Sequence, residues 1–267
     1  HWVILGTTDE NLNHTFNFLG TTNDRVNLAF LGHLVEVAAK FFEGATLAVD
    51  EINENGGLNG VKFKFDMKDD KATAQDATTG YNSLYEAGMQ ISLGSVTTDS
   101  CDAFGASAVE DNLFFITPSA SAAKVIDGRD NGFRVCFGDP DQGTLAADDL
   151  SKSYKNIGVI YNTSDTYSTG VFDAFKAEMD AKGVTFKAAT FDAENNKDFS
   201  TQIEQLKDCD VIFLPFYYTE AGLVAKACVA KGSDAVLFGC DGFDGTQDYT
   251  TGDLSAYENV YFTNHYS

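Results

Sequence analysis

The sequence predicts an α/β fold of two lobes, each a parallel sheet covered by helices on both faces. Three observations predict it. From Val26 onward, short apolar runs alternate with amphipathic stretches of roughly 10–18 residues, the pattern of parallel strands joined by helical crossovers. A turn cluster, Gly138-Asp139-Pro140-Asp141-Gln142-Gly143, interrupts the pattern near mid-chain, and the alternation then restarts. Two successive apolar runs, Ile91–Gly94 and Leu113–Thr117, each end in a hydroxyl-rich turn.

The elements follow in order. Residues 1–25 form an N-terminal segment assigned to neither lobe. In it Ile4–Asn11 nearly recurs as Phe18–Arg25, two copies being too few for a repeat architecture, and two short strands with polar turns fit. Val26–Gly32 is a strand ending in glycine. A helix over Val35–Asn53 carries Ala38, Phe41, Ala45, Ala48 and Ile52 on one face, and Asn55-Gly56-Gly57 stops it. Val61–Met67 alternates like a strand near a sheet edge; Lys71–Ala87 is a helix and Met89–Gly94 a strand. A helix from about Asp99 to Val109 follows, then the strand Leu113–Thr117, a further turn opening a helix, and the strand Phe133–Phe137.

The second half repeats the scheme. A helix spans about 143–153 and a strand Ile157–Tyr161. The loop Asn162–Ser168 leads into a helix reaching Lys182, with Val171, Phe172, Phe175 and Met179 inward. Strands at Val184–Phe191, Asp210–Pro215, Ala235–Gly239 and Asn259–Asn264 alternate with helices at Phe199–Leu206 and Thr219–Ala230. The division is 26–138 for lobe 1 and 139–263 for lobe 2, with 264–267 starting a further crossing.

Composition narrows the function. The chain has 267 residues with 40 acids against 18 bases, a formal net charge of −22. That balance disfavours nucleic acid, whose binding rests on neutralising phosphates, and anionic membrane surfaces. No apolar stretch reaches the ~18 residues of a membrane-spanning helix. The start, His1-Trp2-Val3-Ile4-Leu5, lacks a signal peptide's basic region, so export requires a leader already removed. The five cysteines, Cys101, Cys136, Cys209, Cys228 and Cys240, form no CxxC and an odd count, neither a disulfide framework nor a zinc site. Cys101–Cys136 is the one pair singled out for oxidation. Asp241, Asp244 and Asp248 do not match a calcium-loop spacing. No metal or cofactor is expected.

The hydroxyl turns carry the chemistry. Ser95-Val96-Thr97-Thr98-Asp99-Ser100 and Thr117-Pro118-Ser119-Ala120-Ser121 follow neighbouring strands. If those strands are parallel, both turns share one sheet edge, where free N–H groups at helix starts suit a carboxylate. Ligands of open α/β sheets sit beyond the carboxyl ends of the strands, and two lobes place that site in the cleft between them. Alternatives stay open residue by residue. Thr98 and Ser121 also read as helix caps, Asp241 as a surface turn, and Tyr167 and Tyr217 as interface packing.

The sequence resembles the periplasmic leucine/isoleucine/valine-binding proteins, type I substrate-binding proteins of ABC transporters, from about Val26 to Ser267. The resemblance is carried by Glu43-Gly44-Ala45-Thr46-Leu47-Ala48-Val49-Asp50-Glu51-Ile52-Asn53 with Gly56-Gly57, by Thr117-Pro118-Ser119-Ala120-Ser121, and by Phe133–Gly143. It implies two flavodoxin-like lobes joined by a hinge and a ligand with an amino-acid head group. The carboxylate falls to Thr98, Ser119 and Ser121; the ammonium to Ser121, Tyr217 and Asp241; Tyr167 faces the ligand across the cleft. It further implies an extracytoplasmic receptor, periplasmic or extracellular, with a lipid anchor on the precursor as one option. That receptor delivers a branched-chain amino acid by default to ABC permease subunits. A sensory ligand-binding domain of a membrane receptor is the alternative.

There are departures. Asp241 stands where glutamate is common, and the loop Gly32–Ala38 offers apolar atoms instead of small polar ones. Family members continue well past the point matched by Ser267, so this chain is expected to lack their C-terminal part and to expose apolar surface on lobe 1. No enzyme is expected: GxSxG, GxGxxG and a P-loop are absent, and His1, His14, His33 and His265 form no HxxxH.

Overall fold

The computed structural model describes residues 4–8, 14–18, 25–31, 37–244, 246 and 254–264. Two all-parallel sheets organise them. The first is built from β3 (Arg25–Leu31), β4 (Lys62–Lys68), β5 (Ile91–Ser92), β6 (Phe114–Thr117) and β7 (Gly132–Arg134), in the order β4-β3-β5-β6-β7. The second uses β8 (Ile157–Asn162), β9 (Lys187–Phe191), β10 (Val211–Leu214), β11 (Val236–Gly239) and β12 (Val260–Phe262), in the order β9-β8-β10-β11-β12. Each order reads 2-1-3-4-5, the doubly wound arrangement whose crevice opens where the winding reverses. Those points lie between β3 and β5 and between β8 and β10.

Ahead of the sheets, β1 (Ile4–Thr8) and β2 (His14–Phe18) pair antiparallel, Ile4 opposite Phe18. These are the two short strands expected of this segment; residues 19–24 lie outside the described residues. The loop at residues 32–36 and the crossing expected beyond Asn264 lie outside the described residues.

Seven helices connect these strands among the described residues: α1 (Val37–Glu54), α2 (Ala74–Glu86), α3 (Thr98–Glu110), α4 (Asp139–Ser153), α5 (Thr166–Lys182), α6 (Ser200–Gln205) and α7 (Tyr218–Lys231). The inward face of α1 keeps Phe41 of the expected stripe and is rotated by about one residue further along the helix. Phe42 stacks on Phe65 at 5.4 Å, Val49 is buried, and Asn53 accepts from and donates to the Phe63 backbone, while Ile52 is 40% exposed. Asn53 fixes that rotation by closing two hydrogen bonds onto the β4 backbone.

Two further boundaries differ from expectation. The Gly138–Gly143 cluster is the first turn of α4 instead of a loop. Pro140 sits where a helix needs no N–H, and the Asp141 carboxylate accepts the Gly138 N–H at 3.1 Å. The turn after β6 opens only one 3-10 turn, Ala123–Val125, not a helix. Its residues are held by local bonds: Thr117 Oγ1 donates to the Ser95 carbonyl and accepts the Ala120 N–H.

In the second sheet both faces are packed. Phe191, Phe199, Leu214 and Val224 fill one side, and Phe175, Met179, Val159 and Phe213 the other. The first sheet has a core around Tyr81, Phe104 and Phe115 and a thinner one in which Phe41, Phe42, Phe65, Met67 and Leu93 pack against Val96. Phe114 and Phe133 stack at 5.3 Å at its edge, with Phe133 45% and Val135 64% exposed. All five cysteines are free thiols; the Cys101–Cys136 pair does not form, Cys101 being locked in the α3 core and the Cys136 thiol directed at the Ala120 carbonyl. Burial raises each thiol above its ordinary range, Cys101 and Cys228 to about 11 and Cys136 to about 12.

Candidate functional site

The carboxyl ends of the two sheets face each other across a cavity of about 230 Å³. It is small for a ligand pocket and suits a metabolite-sized guest. Its walls include Thr98, Ser119, Ser121, Tyr167, Tyr217 and Asp241, so the structure brings together all six residues singled out from the sequence. Thr98 and Ser119 follow β5 and β6, which are parallel neighbours, and this places both hydroxyl turns on one edge. Tyr167, Tyr217 and Asp241 follow β8, β10 and β11.

On the hydroxyl side, Thr97 occupies the N-cap of α3 with extended backbone, yet makes no side-chain capping bond. Thr97 Oγ1 and Thr98 Oγ1 are both buried with no hydrogen-bond partner in the protein. Neighbouring hydroxyls are engaged, Ser95 Oγ donating to Asp70 and Thr117 Oγ1 to Ser95 at 2.6 Å. Capping thus does not account for Thr98. A buried hydroxyl left unpaired costs about 1–3 kcal/mol, a penalty that a ligand acceptor removes. Ser121 is buried, and its carbonyl accepts the Asp139 N–H at 3.0 Å and Arg134 Nη1 at 2.6 Å.

The acidic side is held rigidly. Tyr167 is 2% exposed; its hydroxyl donates to Asp241 Oδ1 at 2.7 Å and accepts the Gly242 N–H at 3.2 Å. The Asp241 N–H donates to Gln142 Oε1 at 3.1 Å, which fixes the turn against α4. The Tyr167 and Tyr217 rings stack at 5.0 Å. A Cβ at Gly242 would lie 3.1 Å from the Phe216 carbonyl, the Tyr167 hydroxyl and Tyr217 Cδ1, so glycine lets the Asp241 turn close onto this floor. Tyr167 therefore both lines the cavity and aims Asp241.

Further acids surround this floor. Asp139 is 2% exposed at the start of α4, with the Ser121 side chain beside its carboxylate. Burial, opposed by Ser121 and aided by nearby Asp241, pushes it up to about 7. Asp165 caps α5 by accepting the Ser168 N–H at 2.7 Å, and burial carries it to about 6. Because the folded state disfavours ionised Asp139, its penalty is absent below about pH 4. It grows as pH rises toward 7 and is complete above that. Asp139→Asn should accordingly stabilise the fold at pH 8, by on the order of 3 kcal/mol, and far less at pH 4.5. Urea unfolding at the two pH values checks this; an equal effect at both would show that Asp139 is ionised in the fold.

Sequence reasoning missed Ala72, Val96, Thr97, Tyr218, Thr219 and Glu220, which also line the cavity. Thr97 and Val96 lay inside the hydroxyl cluster, beside the single threonine chosen. Glu220 sits in the first turn of α7, three residues after Tyr217, where an acid suits the helix dipole. Ala72 carried no signal. It reaches the cavity through a left-handed pair, Lys71 (φ 48°) and Ala72 (φ 55°), pinned by Asp69 and Asp70 accepting their N–H groups.

With this geometry established, similarity to known proteins is informative. A family model described as periplasmic binding protein matches residues 31–267. The Leu/Ile/Val-binding protein BraC3 of Rhizobium johnstonii is 31% identical over 225 residues, covering 83% of this chain and 61% of that protein. The leucine-, isoleucine-, valine-, threonine- and alanine-binding protein of Pseudomonas aeruginosa is 27% identical over 233 residues, covering 82% and 61%. The chain thus spans about three fifths of the length of these relatives. Among solved structures, the branched-chain amino acid transporter substrate-binding protein LivJ of Streptococcus pneumoniae, in complex with isoleucine, superposes with a TM-score of 0.80 at 27% identity, covering 89% and 70%. The leucine-binding protein LivK of Thermotoga maritima does so with a TM-score of 0.82 at 22% identity, covering 91% and 70%, and speaks for the fold alone. Two parallel five-stranded sheets, a cleft between their carboxyl ends and a family match over most of the sequence agree: the chain belongs to the periplasmic binding protein family, with the two-lobed type I fold.

Proposed function

We propose that the chain is an extracytoplasmic solute receptor that captures a small amino acid in the inter-lobe cleft and hands it unchanged to an ABC importer, with branched-chain side chains as the default. The observation that carries this reading is the unpartnered Thr98 hydroxyl facing the same cavity as Asp241. A zwitterion needs donors at one end and an anion at the other, and charge-assisted hydrogen bonds are the strong ones. Thr98, Ser119 and Ser121 supply the donors from residues 26–138; Asp241, aimed by Tyr167 and beside Tyr217, supplies the anion from residues 139–263. Only closure of the two lobes completes the site, which couples capture to a hinge motion that a permease can sense. Lys124 supports the closed arrangement: it pairs with Asp102 at 3.0 Å and donates to Thr166 Oγ1, at the start of α5, at 3.4 Å. The relatives' names support the amino-acid and importer parts.

Thermal unfolding with a panel of free amino acids tests the reading. A ligand at 100 times its dissociation constant stabilises by about 2.7 kcal/mol, roughly 5–10 °C for a chain of this size. A shift with leucine or a related amino acid is expected. A cooperative transition that no amino acid moves would remove the amino-acid assignment.

A further inference from the structure

The head-group residues leave part of the cavity unexplained. On the lobe 2 wall stands Glu220, and opposite, on the lobe 1 wall, Thr97 carries its own buried, unpartnered Oγ1. Glu220 is partly buried. Asn196 Nδ2 donates to its Oε1 at 3.0 Å, and no ion pair reaches it among the described residues. Asn196 belongs to the segment between β9 and α6, and its bond engages one carboxyl oxygen of a side chain that lines the cavity. Burial raises the Glu220 carboxyl above its ordinary range, with its own backbone N–H, Asn196 and Lys197 opposing. Val96, Ala72 and Tyr218 complete the wall. An aliphatic side chain would satisfy those three residues but would displace water from the Glu220 carboxyl and offer it no donor, an unfavourable exchange for a polar group.

We infer that Glu220 is a specificity-determining residue: it accepts a hydrogen bond from a donor on the ligand's side chain, with Thr97 as a second polar contact. The cleft therefore prefers amino acids whose side chains end in an N–H donor over aliphatic ones of similar length. This rests on the amino-acid reading and replaces its branched-chain default with a side chain that ends in a donor. The donor is either a neutral amide or an ammonium, and both present the same chemistry to a carboxyl oxygen. A site built to pair with a polar group discriminates strongly against the analogue lacking it, because its own polar atom is then stranded.

Isothermal titration of the 267-residue chain with leucine, glutamine and ornithine tests the inference, using wild type, Glu220→Gln and Glu220→Leu. Wild type should bind glutamine or ornithine at least about 10-fold more tightly than leucine. Glu220→Leu should reverse the order by weakening the donor ligand about 10- to 30-fold and sparing leucine. Glu220→Gln separates the two donors, retaining glutamine within a few-fold while losing ornithine. Tighter leucine binding in wild type, or a leucine-to-donor ratio unchanged by Glu220→Leu, would overturn the role of Glu220 and leave the amino-acid reading standing. Absence of binding by all three would overturn both.

Discussion

Asp241→Asn should lower amino-acid affinity about 100-fold or more while leaving the unfolding midpoint nearly unchanged. The substitution is nearly isosteric. The asparagine oxygen still accepts the Tyr167 hydroxyl, which now meets Asp241 Oδ1 at 2.7 Å, and the backbone N–H still reaches Gln142. What changes is the partner offered to the ammonium: a carboxylate oxygen becomes an N–H₂ donor. Truncating one member of a buried, hydrogen-bonded charge pair typically costs about 2–5 kcal/mol. Calorimetry on both proteins measures it directly. A loss below about threefold would mean that the ligand's cationic end lies elsewhere, and Asp139 or Asp165 would be the groups to examine next.

Gly143→Ala carries the second large effect, this time on stability. Alanine favours a helix interior over glycine by about 1 kcal/mol, so the substitution would stabilise an isolated α4. In the fold, however, a Cβ at this position would lie 2.4 Å from the Val171 carbonyl oxygen and 2.7 Å from the Phe175 nitrogen. Both are backbone atoms of α5, and a helical backbone does not step aside as a side chain can. Asp139, Gln142, Gly143, Ala146, Ala147 and Leu150 make up the buried face of α4, so the helix would have to move as a body. Overpacking of this kind costs about 1–3 kcal/mol and occasionally more, which outweighs the propensity gain. A net loss of about 2 kcal/mol or more in urea unfolding is expected. An unchanged or raised midpoint would mean that α4 and α5 do not pack this closely.

The fold was legible because its signal is periodic. Buried runs such as Val211–Leu214 and helical stripes such as Val171, Phe172, Phe175 and Met179 depend on burial alone. Errors gathered where one residue type serves two purposes. Gly138, Pro140 and Asp141 suit a loop and the first turn of a helix equally well, and only the Asp141–Gly138 hydrogen bond decides between them. Likewise Thr117 looks like a helix cap but is held by the Ser95 carbonyl. Of the site, the hydroxyl turns could be read from residue type and position after a strand, while the roles of Ser119, Tyr167, Tyr217 and Asp241 came through the resemblance. Glu220 and Ala72 escaped because nothing local marks a side chain that meets the cavity only through tertiary folding. The Tyr167–Asp241 bond spans 74 positions and is invisible to any window of sequence.

The free thiols bear on how this fold lasts under oxidising conditions. An odd count of cysteines ordinarily invites cross-linking between copies or slow oxidation. Both reactions proceed through the thiolate. In this chain Cys101, Cys209, Cys228 and Cys240 are buried, and burial pushes all five thiols upward, Cys136 included. A thiol at about 11 is ionised at neutral pH in only about one molecule in ten thousand. Oxidants and foreign disulfides therefore find almost no nucleophile while the chain is folded. Chemical durability here comes from packing instead of from pairing, and it lasts only as long as the cores around β6, β10 and β11 stay closed.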